Sequence, residues 1–309
     1  MSELRKDYIL DKFVIIAAKR GKRPHDFKAE KERKKSGICY FCPGNEHTTP
    51  PEKYRLSDGE SWKIRVFDNK FPAVEFEGEY ALRTDNGYYT FANAYGVHEV
   101  IVDTPNHDEE LADLSVEDLT NVLYVYRLRL KELALLPGIK YVSLFKNKGL
   151  QAGCSIAHSH TQIIAYNIVP SIIIEKEKAS ENNCPYCEII EKEKDSSRSI
   201  FVDEHIAAFT PYASRFPFEV LIIPRRHVLE LKELTDKEME SMAKILKQVL
   251  LKLKELNAPY NFYFHYGIKS MHLQLSIIPR LTNWAGFEHA TGTIINPVPP
   301  EDAAKFYKS

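Results

Sequence analysis

The sequence predicts an α+β fold of two tandem, related halves, each an antiparallel sheet with helices packed on it. Three observations carry this. Short strand-like runs bounded by Gly, Pro, Asn and Asp fill most of the chain. One long amphipathic helical segment interrupts each half. One motif order occurs twice. First comes Cys39-x-x-Cys42, a strand ending at His107, a helix, and His158-Ser-His160-Thr-Gln162. Then come Cys184-x-x-Cys187, a strand ending at His227, a helix, and His272-Leu-Gln274-Leu-Ser276. The halves are placed at residues 1–170, as the catalytic one, and 171–309, as a degenerate one.

The elements follow in order. Residues 26–37 are charged and read as a loop or exposed helix end. Residues 64–102 are apolar and aromatic, with breaks at FDNKFP, TDNG and NAYG, and read as several antiparallel strands. HEVIVDTP is a strand ended by Pro105. A helix runs from Leu114 to Leu136, with Leu119, Val122, Leu123, Tyr126, Leu130 and Leu133 at helical spacing. Ser115 caps it and Pro137-Gly138 stops it. IKYVSLFKN and SHTQIIAYNIV are strands flanking the Gly149–Gly153 loop. In the second half, FVDEHIAAFTP and FEVLIIP are strands, and Thr235 with Glu238 forms a capping box opening a helix to about Leu256. YNFYFHYG and MHLQLSIIP return as strands. The tail from Thr282 is loop-rich, with a short helix after Pro300.

Composition bounds the function. The 309 residues carry 42 basic and 43 acidic side chains, a formal net charge of -1. This balance gives no general pull toward nucleic acid or an anionic membrane. No apolar run approaches the roughly 20 residues needed to span a bilayer, and the N-terminus lacks the apolar stretch of a secretory signal. A soluble cytoplasmic protein is expected. Four of the five cysteines form the two Cys-x-x-Cys pairs, which in a reducing compartment points to metal ligation. Each pair with its two histidines (Cys39, Cys42, His107, His158; Cys184, Cys187, His227, His272) makes a Cys2His2 set, a common tetrahedral zinc arrangement. The alternative is buried free thiols and ordinary core histidines.

The halves differ where chemistry would occur. Residues two apart on a strand share a face, so His160 lies beside a metal-bound His158 and stays free to react. The second half has Gln274 there, which cannot act as a nucleophile. A neutral imidazole can attack phosphorus and form a covalent intermediate, provided its other nitrogen donates to an acceptor that fixes the tautomer. Gln162, on the same face, can donate to a phosphoryl oxygen. The stretch Asn147-Lys148-Gly149 … Gly153-Cys154-Ser155 offers backbone N–H groups, a hydroxyl and a cation. Arg20 and Arg23 carry forked donors suited to phosphate.

Assembled, these residues resemble the galactose-1-phosphate uridylyltransferase branch of the histidine-triad superfamily. The resemblance rests on RGKRP, FCPGNEHTTPPE, FDNKFPA, HEVIVDTPNHD, FKNKGLQAGCSIAHSHTQ, FTPYASRFPFEVLIIPRRH, GFE and INPVPPEDAA. It implies two histidine-triad-like halves, a homodimer, structural zinc, and double displacement. His160 would take a uridylyl group from UDP-glucose, release glucose 1-phosphate, and pass the group to galactose 1-phosphate. It places Asn69 at the ribose, Asn147, Ser155 and Gln162 at phosphate, and Phe287 and Glu288 at the hexose, with Asp68, Lys148, Gly153 and Cys154 in the substrate-binding set. His158-Ser159-His160 departs from the usual His-Pro-His. The second half also lacks the histidines that relatives carry near HLQLSIIPR, and His265 reads there as a plain strand residue. A related class fits about as well: a phosphorylase using ADP-glucose as donor and inorganic phosphate as acceptor. A non-catalytic nucleotide-binding module and a hydrolase using water as acceptor are the remaining alternatives.

Overall fold

The computed structural model describes residues 2–20, 37–59 and 61–309. The chain opens with a hairpin of β1 (Glu3–Lys6) and β2 (Phe13–Ile16), whose turn is shaped by Asp7 Oδ1 accepting from the amides of Ile9 (2.9 Å) and Leu10 (2.8 Å). Then follow β3 (Glu52–Asp58), β4 (Ser61–Asp68), the small hairpin β5 (Arg83–Asp85) and β6 (Tyr89–Phe91), and β7 (Gly96–Val102). Helix α1 (Val116–Ala134) begins where expected, with the Ser115 side chain accepting from the Asp118 amide. Next come β8 (Tyr141–Lys148) and β9 (His160–Tyr166). A Cβ at Gly96 would stand 1.9 Å from the Ala165 carbonyl oxygen. The close pairing of β7 with β9 therefore requires glycine there.

Two helices that the sequence reading did not anticipate open the second half: α2 (Ser171–Ser180) and α3 (Pro185–Glu193). The FVDEHIAAFTP run, expected as one strand, is a hairpin of β10 (Ser199–Val202) and β11 (Ile206–Phe209). Asp203 turns it, its Oδ1 accepting from His205 and Ile206 N–H at 2.8 Å each. β12 (Val220–Pro224) precedes α4 (Asp236–Glu255), which starts on the expected Thr235–Glu238 capping box. β13 (Tyr260–His265) and β14 (Gln274–Pro279) follow. The tail is more ordered than expected. It holds α5 (Gly286–Thr291), β15 (Ile294–Asn296) and α6 (Pro300–Lys308). β15 pairs parallel with β2, tying the end of the chain to its beginning.

Among the described residues, ten strands form one antiparallel sheet in the order β10-β11-β12-β14-β13-β8-β9-β7-β4-β3. Five strands from each half meet at the β8–β13 seam. Helices α1 and α4 pack on the same large core and against each other. Side chains alternate across each strand. Ile206 and Ala208 therefore join the α4 core while Ala207 and Phe209 join the cluster under α2 and α3. Near β9, among the described residues, the equivalent face carries no helix pair; Phe41, Trp62, Phe67, Val100 and Val102 cluster there. No helix of the described residues is long and apolar enough to cross a membrane.

Candidate active site and metal centres

His158 and His272 each stand two residues before a strand begins, at the point where the chain enters the sheet. In the first cluster, Cys39 Sγ lies 3.6 Å from His158 Nδ1, and Cys42 Sγ lies 3.4 Å from His107 Nδ1 and 3.6 Å from His158 Nδ1. In the second, Cys184 Sγ is 3.9 Å from His272 Nδ1, and Cys187 Sγ is 3.4 Å from His227 Nδ1 and 3.7 Å from His272 Nδ1. All four donor atoms of each cluster lie within 4.8 Å of one another. Tetrahedral zinc at ordinary bond lengths separates sulfur from nitrogen by about 3.5 Å, so both donor sets fit that ion. The thiols agree. Burial, with the neighbouring Cys39, pushes Cys42 up to about 11. Burial and Cys184 do the same to Cys187. Two adjacent thiols resist ionising until a cation sits between them. His158 Nε2 donates to the Thr104 carbonyl at 2.7 Å, fixing the ring so that Nδ1 faces the cysteines. For His272, burial followed by the charge of His227 lowers the ring to about 4, against the opposing pull of the Pro224 and Arg226 backbone.

His160 stays outside the cluster. It is the first residue of β9 and only 7% exposed. Its Nδ1 donates to the His158 carbonyl at 2.9 Å, and the edge of Phe41 packs against the ring at 5.3 Å between centroids. Burial first, then the Lys146 ammonium, lowers its pKa below the ordinary histidine value. The ring is thus neutral at physiological pH, with the proton on Nδ1 and the Nε2 lone pair uncommitted. An imidazole held this way can attack an electrophilic phosphorus.

Beneath the strand lies a buried polar network that sequence reasoning missed. Lys146 Nζ donates to Asp103 Oδ2 (2.7 Å), Ser159 Oγ (2.9 Å) and the His160 carbonyl (2.9 Å). Ser159 Oγ donates to Asp103 Oδ2 at 3.1 Å, and Tyr126 Oη donates to Asp103 Oδ1 at 3.0 Å. Lys146 and Asp103 are each 2% exposed, so the pair survives burial only because every polar neighbour is satisfied. Ser159, the departure noted from sequence, fastens the strand by hydrogen bonds to Lys146 and Asp103.

Gln162 is also held from behind. His98 Nδ1 accepts from the Ala73 amide (3.1 Å), so its Nε2 carries the proton and donates to Gln162 Oε1 at 3.0 Å. The Gln162 amide nitrogen is thereby the donor left to face a ligand. Burial lowers the His98 pKa, consistent with this neutral tautomer. Asn69 Oδ1 accepts from Phe71 N–H at 2.9 Å, and Asn69 Nδ2 is 3.2 Å from His98 Nε2, so Asn69 adjoins Gln162 through His98.

The remaining candidates distribute as follows. Gly149 and Gly153, at φ 85° and 84°, flank a short 3-10 turn, a conformation that favours glycine. Cys154 Sγ lies 3.0 Å from the Ile156 carbonyl, and Ser155 is exposed. Asn147 shares the sheet face of His160. Lys148 alternates to the other face and pairs with Glu110 at 3.5 Å. Asp68 pairs with Lys53 at 3.1 Å. Arg20 is exposed; Arg23 and nearly all of the charged 26–37 loop lie outside the described residues. Phe287 is 44% exposed on α5, and Glu288 accepts from the Ala285 amide at its start.

In the second half, Gln274 occupies the position of His160. Its Oε1 accepts from Lys176 Nζ at 2.9 Å, and the same ammonium donates to His265 Nδ1 at 3.0 Å. Lys176 comes from α2, so a side chain from a helix hydrogen-bonds Gln274 where, among the described residues, none does so to His160. His265 serves there as a hydrogen-bond acceptor.

The sequence profile of the galactose-1-phosphate uridyl transferase N-terminal domain matches residues 1–170, and that of its C-terminal domain matches residues 152–308. The chain is 33% identical to an ADP-glucose phosphorylase of Arabidopsis thaliana, covering 98% of this chain and 91% of that one. It is 30% identical to a galactose-1-phosphate uridylyltransferase of Thermotoga maritima, covering 99% and 97%. Among solved structures, an Arabidopsis thaliana ADP-glucose phosphorylase with bound ADP-glucose superposes with a TM-score of 0.85 at 31% identity, covering 100% of this chain and 99% of the other. A uridylyltransferase structure gives 0.77 at 27% identity, covering 100% and 97%. A duplicated Cys2His2 frame, a free imidazole beside one of the two clusters, and full-length similarity agree: the chain belongs to the galactose-1-phosphate uridylyltransferase family of nucleotidyl-transferring enzymes.

Proposed function

We propose that the chain transfers an adenylyl group by double displacement through His160, with ADP-glucose as donor and inorganic phosphate as acceptor. In the first step the His160 Nε2 lone pair attacks the α-phosphorus. The bond from that phosphorus to the bridging oxygen breaks, and its electron pair leaves on glucose 1-phosphate. In the second step a phosphate oxygen attacks the same phosphorus, the P–N bond returns its pair to Nε2, and ADP departs. Neither leaving group needs a strong acid, so the protein's task is placement and charge stabilisation. The hydrogen bond from His160 Nδ1 to the His158 carbonyl carries this reading, because it leaves Nε2 as the nucleophilic atom. The Gln162 amide, aimed by His98, and the Asn147 amide are suited to the phosphoryl oxygens. When bound, zinc in the two Cys2His2 sets would tie distant segments together structurally.

The choice of ADP-glucose is supported by the likeness to the Arabidopsis thaliana ADP-glucose phosphorylase. The likeness to the Thermotoga maritima uridylyltransferase supports the second reading, UDP-glucose with galactose 1-phosphate. A homodimer accords with the exposed aromatic side chains around β5 and β6, where Tyr88 is 90% and Tyr89 67% exposed. Intact-mass measurement after incubation with each sugar nucleotide is the test. The expected result is an adenylyl increment from ADP-glucose, with none from UDP-glucose; a uridylyl increment alone would establish the second reading. No increment from either would remove the covalent step.

A further inference from the structure

The second half borders the candidate active strand through the seam. The register that pairs Lys146 with Thr161 brings Asn147 beside His160, and Asn147 in turn pairs with Asn261 on β13. Cross-strand partners share a face, so Asn261 lies two strands, about 10 Å, from His160 on the same surface. Asn261 Nδ2 donates to Asn147 Oδ1 and to the Ala152 carbonyl, both at 2.8 Å. With its oxygen engaged, Asn147 can offer only its amide nitrogen outward. Asn261 therefore sets the polarity of Asn147 and braces the glycine-flanked loop.

Beyond Asn261 stands Arg280. Its Nη1 reaches Asn261 Oδ1 at 3.5 Å, its guanidinium lies over the Phe216 ring at 5.5 Å, and its Nε is buried with no hydrogen-bond partner. Among the described residues, no carboxylate pairs with Arg280. Arg215, also over Phe216, differs because the charge of Glu219 faces it. A partly buried guanidinium without a counter-charge is costly unless an anion arrives, and its fork suits phosphate oxygens.

Resting on the double-displacement reading above, we propose that Arg280, braced by Asn261, is a binding residue for the phosphate of the leaving group and of the acceptor. The ligand class is a phosphate dianion, either inorganic phosphate or a sugar 1-phosphate. The second half then supplies the cation that the Asn147–Ser155 loop lacks on this face, since Lys148 points away.

The test uses the full-length metal-loaded enzyme. Arg280→Gln is expected to raise the KM for the acceptor about 10- to 100-fold, with Arg280→Lys recovering part of it. The Kd for AMP, which lacks the second phosphate, is expected to stay within twofold. Asn261→Asp is isosteric, puts a carboxylate beside Arg280, and is expected to raise the same KM. It serves if Arg280→Gln does not fold. Parallel assays with orthophosphate and galactose 1-phosphate identify the source of the dianion. An acceptor KM within twofold of wild type in both variants overturns the proposal, as does an equal weakening of AMP. If wild-type enzyme forms no nucleotidyl adduct, the double-displacement reading falls and this inference with it. An adduct with unchanged KM in the variants removes only the role of Arg280.

Discussion

Replacing His160 by glycine is expected to abolish nucleotidyl transfer, lowering turnover by about four orders of magnitude or more. It should leave zinc content unchanged and the melting temperature within a few degrees of wild type. The separation of effects follows from geometry. His160 bonds through Nδ1 to a backbone carbonyl and packs against Phe41, while both metal clusters are built from other side chains. The measurement pairs steady-state turnover with intact mass after sugar nucleotide addition. Ordinary turnover in the variant, or an adduct mapped to another residue, would show that a different group accepts the phosphorus.

A different pattern is expected for His158→Ala. His158 sits two residues before His160, yet its Nδ1 faces both Cys39 and Cys42. The variant is expected to lose one of two zinc ions per chain by elemental analysis, and stability with it. His158 lies 119 residues from Cys39, and a cross-link closing a loop of about 100 residues is worth on the order of 4–5 kcal/mol. In a chain of this size that corresponds to a fall in melting temperature of about 10 °C. Activity falls too, because the His158 carbonyl that accepts the hydrogen bond from His160 Nδ1 moves with the released segment. A His158→Ala protein with two zinc ions and an unchanged melting curve would show that the first cluster is a set of packed thiols and imidazoles.

Both residues were legible in the sequence because their signals are local or repeated. A Cys-x-x-Cys pair is a four-residue pattern, and its recurrence with the same histidine order marks the duplication. Ser115 and the Thr235–Glu238 box are equally local, and both caps form as read. What escaped depends on partners far along the chain. The contact of His98 with Gln162 spans 64 residues, and that of Asn261 with Asn147 spans 114. Each exists only once strand register is fixed, and composition does not report register. Lys146 reads as one more lysine in a lysine-rich chain until the fold sets its ammonium against Asp103. Helix α2 went unassigned because the β-branched run Ile172-Ile173-Ile174 carries little helix signal. Packing of Ile173 under the sheet decides otherwise. Strand β15 has no signal of its own and exists by pairing with β2 at the far end of the chain.

The seam between β8 and β13 is a ladder of main-chain hydrogen bonds, with α1 and α4 laid together over the same core. Such a junction joins the halves through a backbone ladder and through side-chain packing together, and either half sliding or hinging would break both. The half that carries Gln274 at the position of His160 thus continues the same sheet as the half that carries His160. Calorimetry is expected to record a single melting transition for the metal-loaded chain, because the two halves share one sheet and one core.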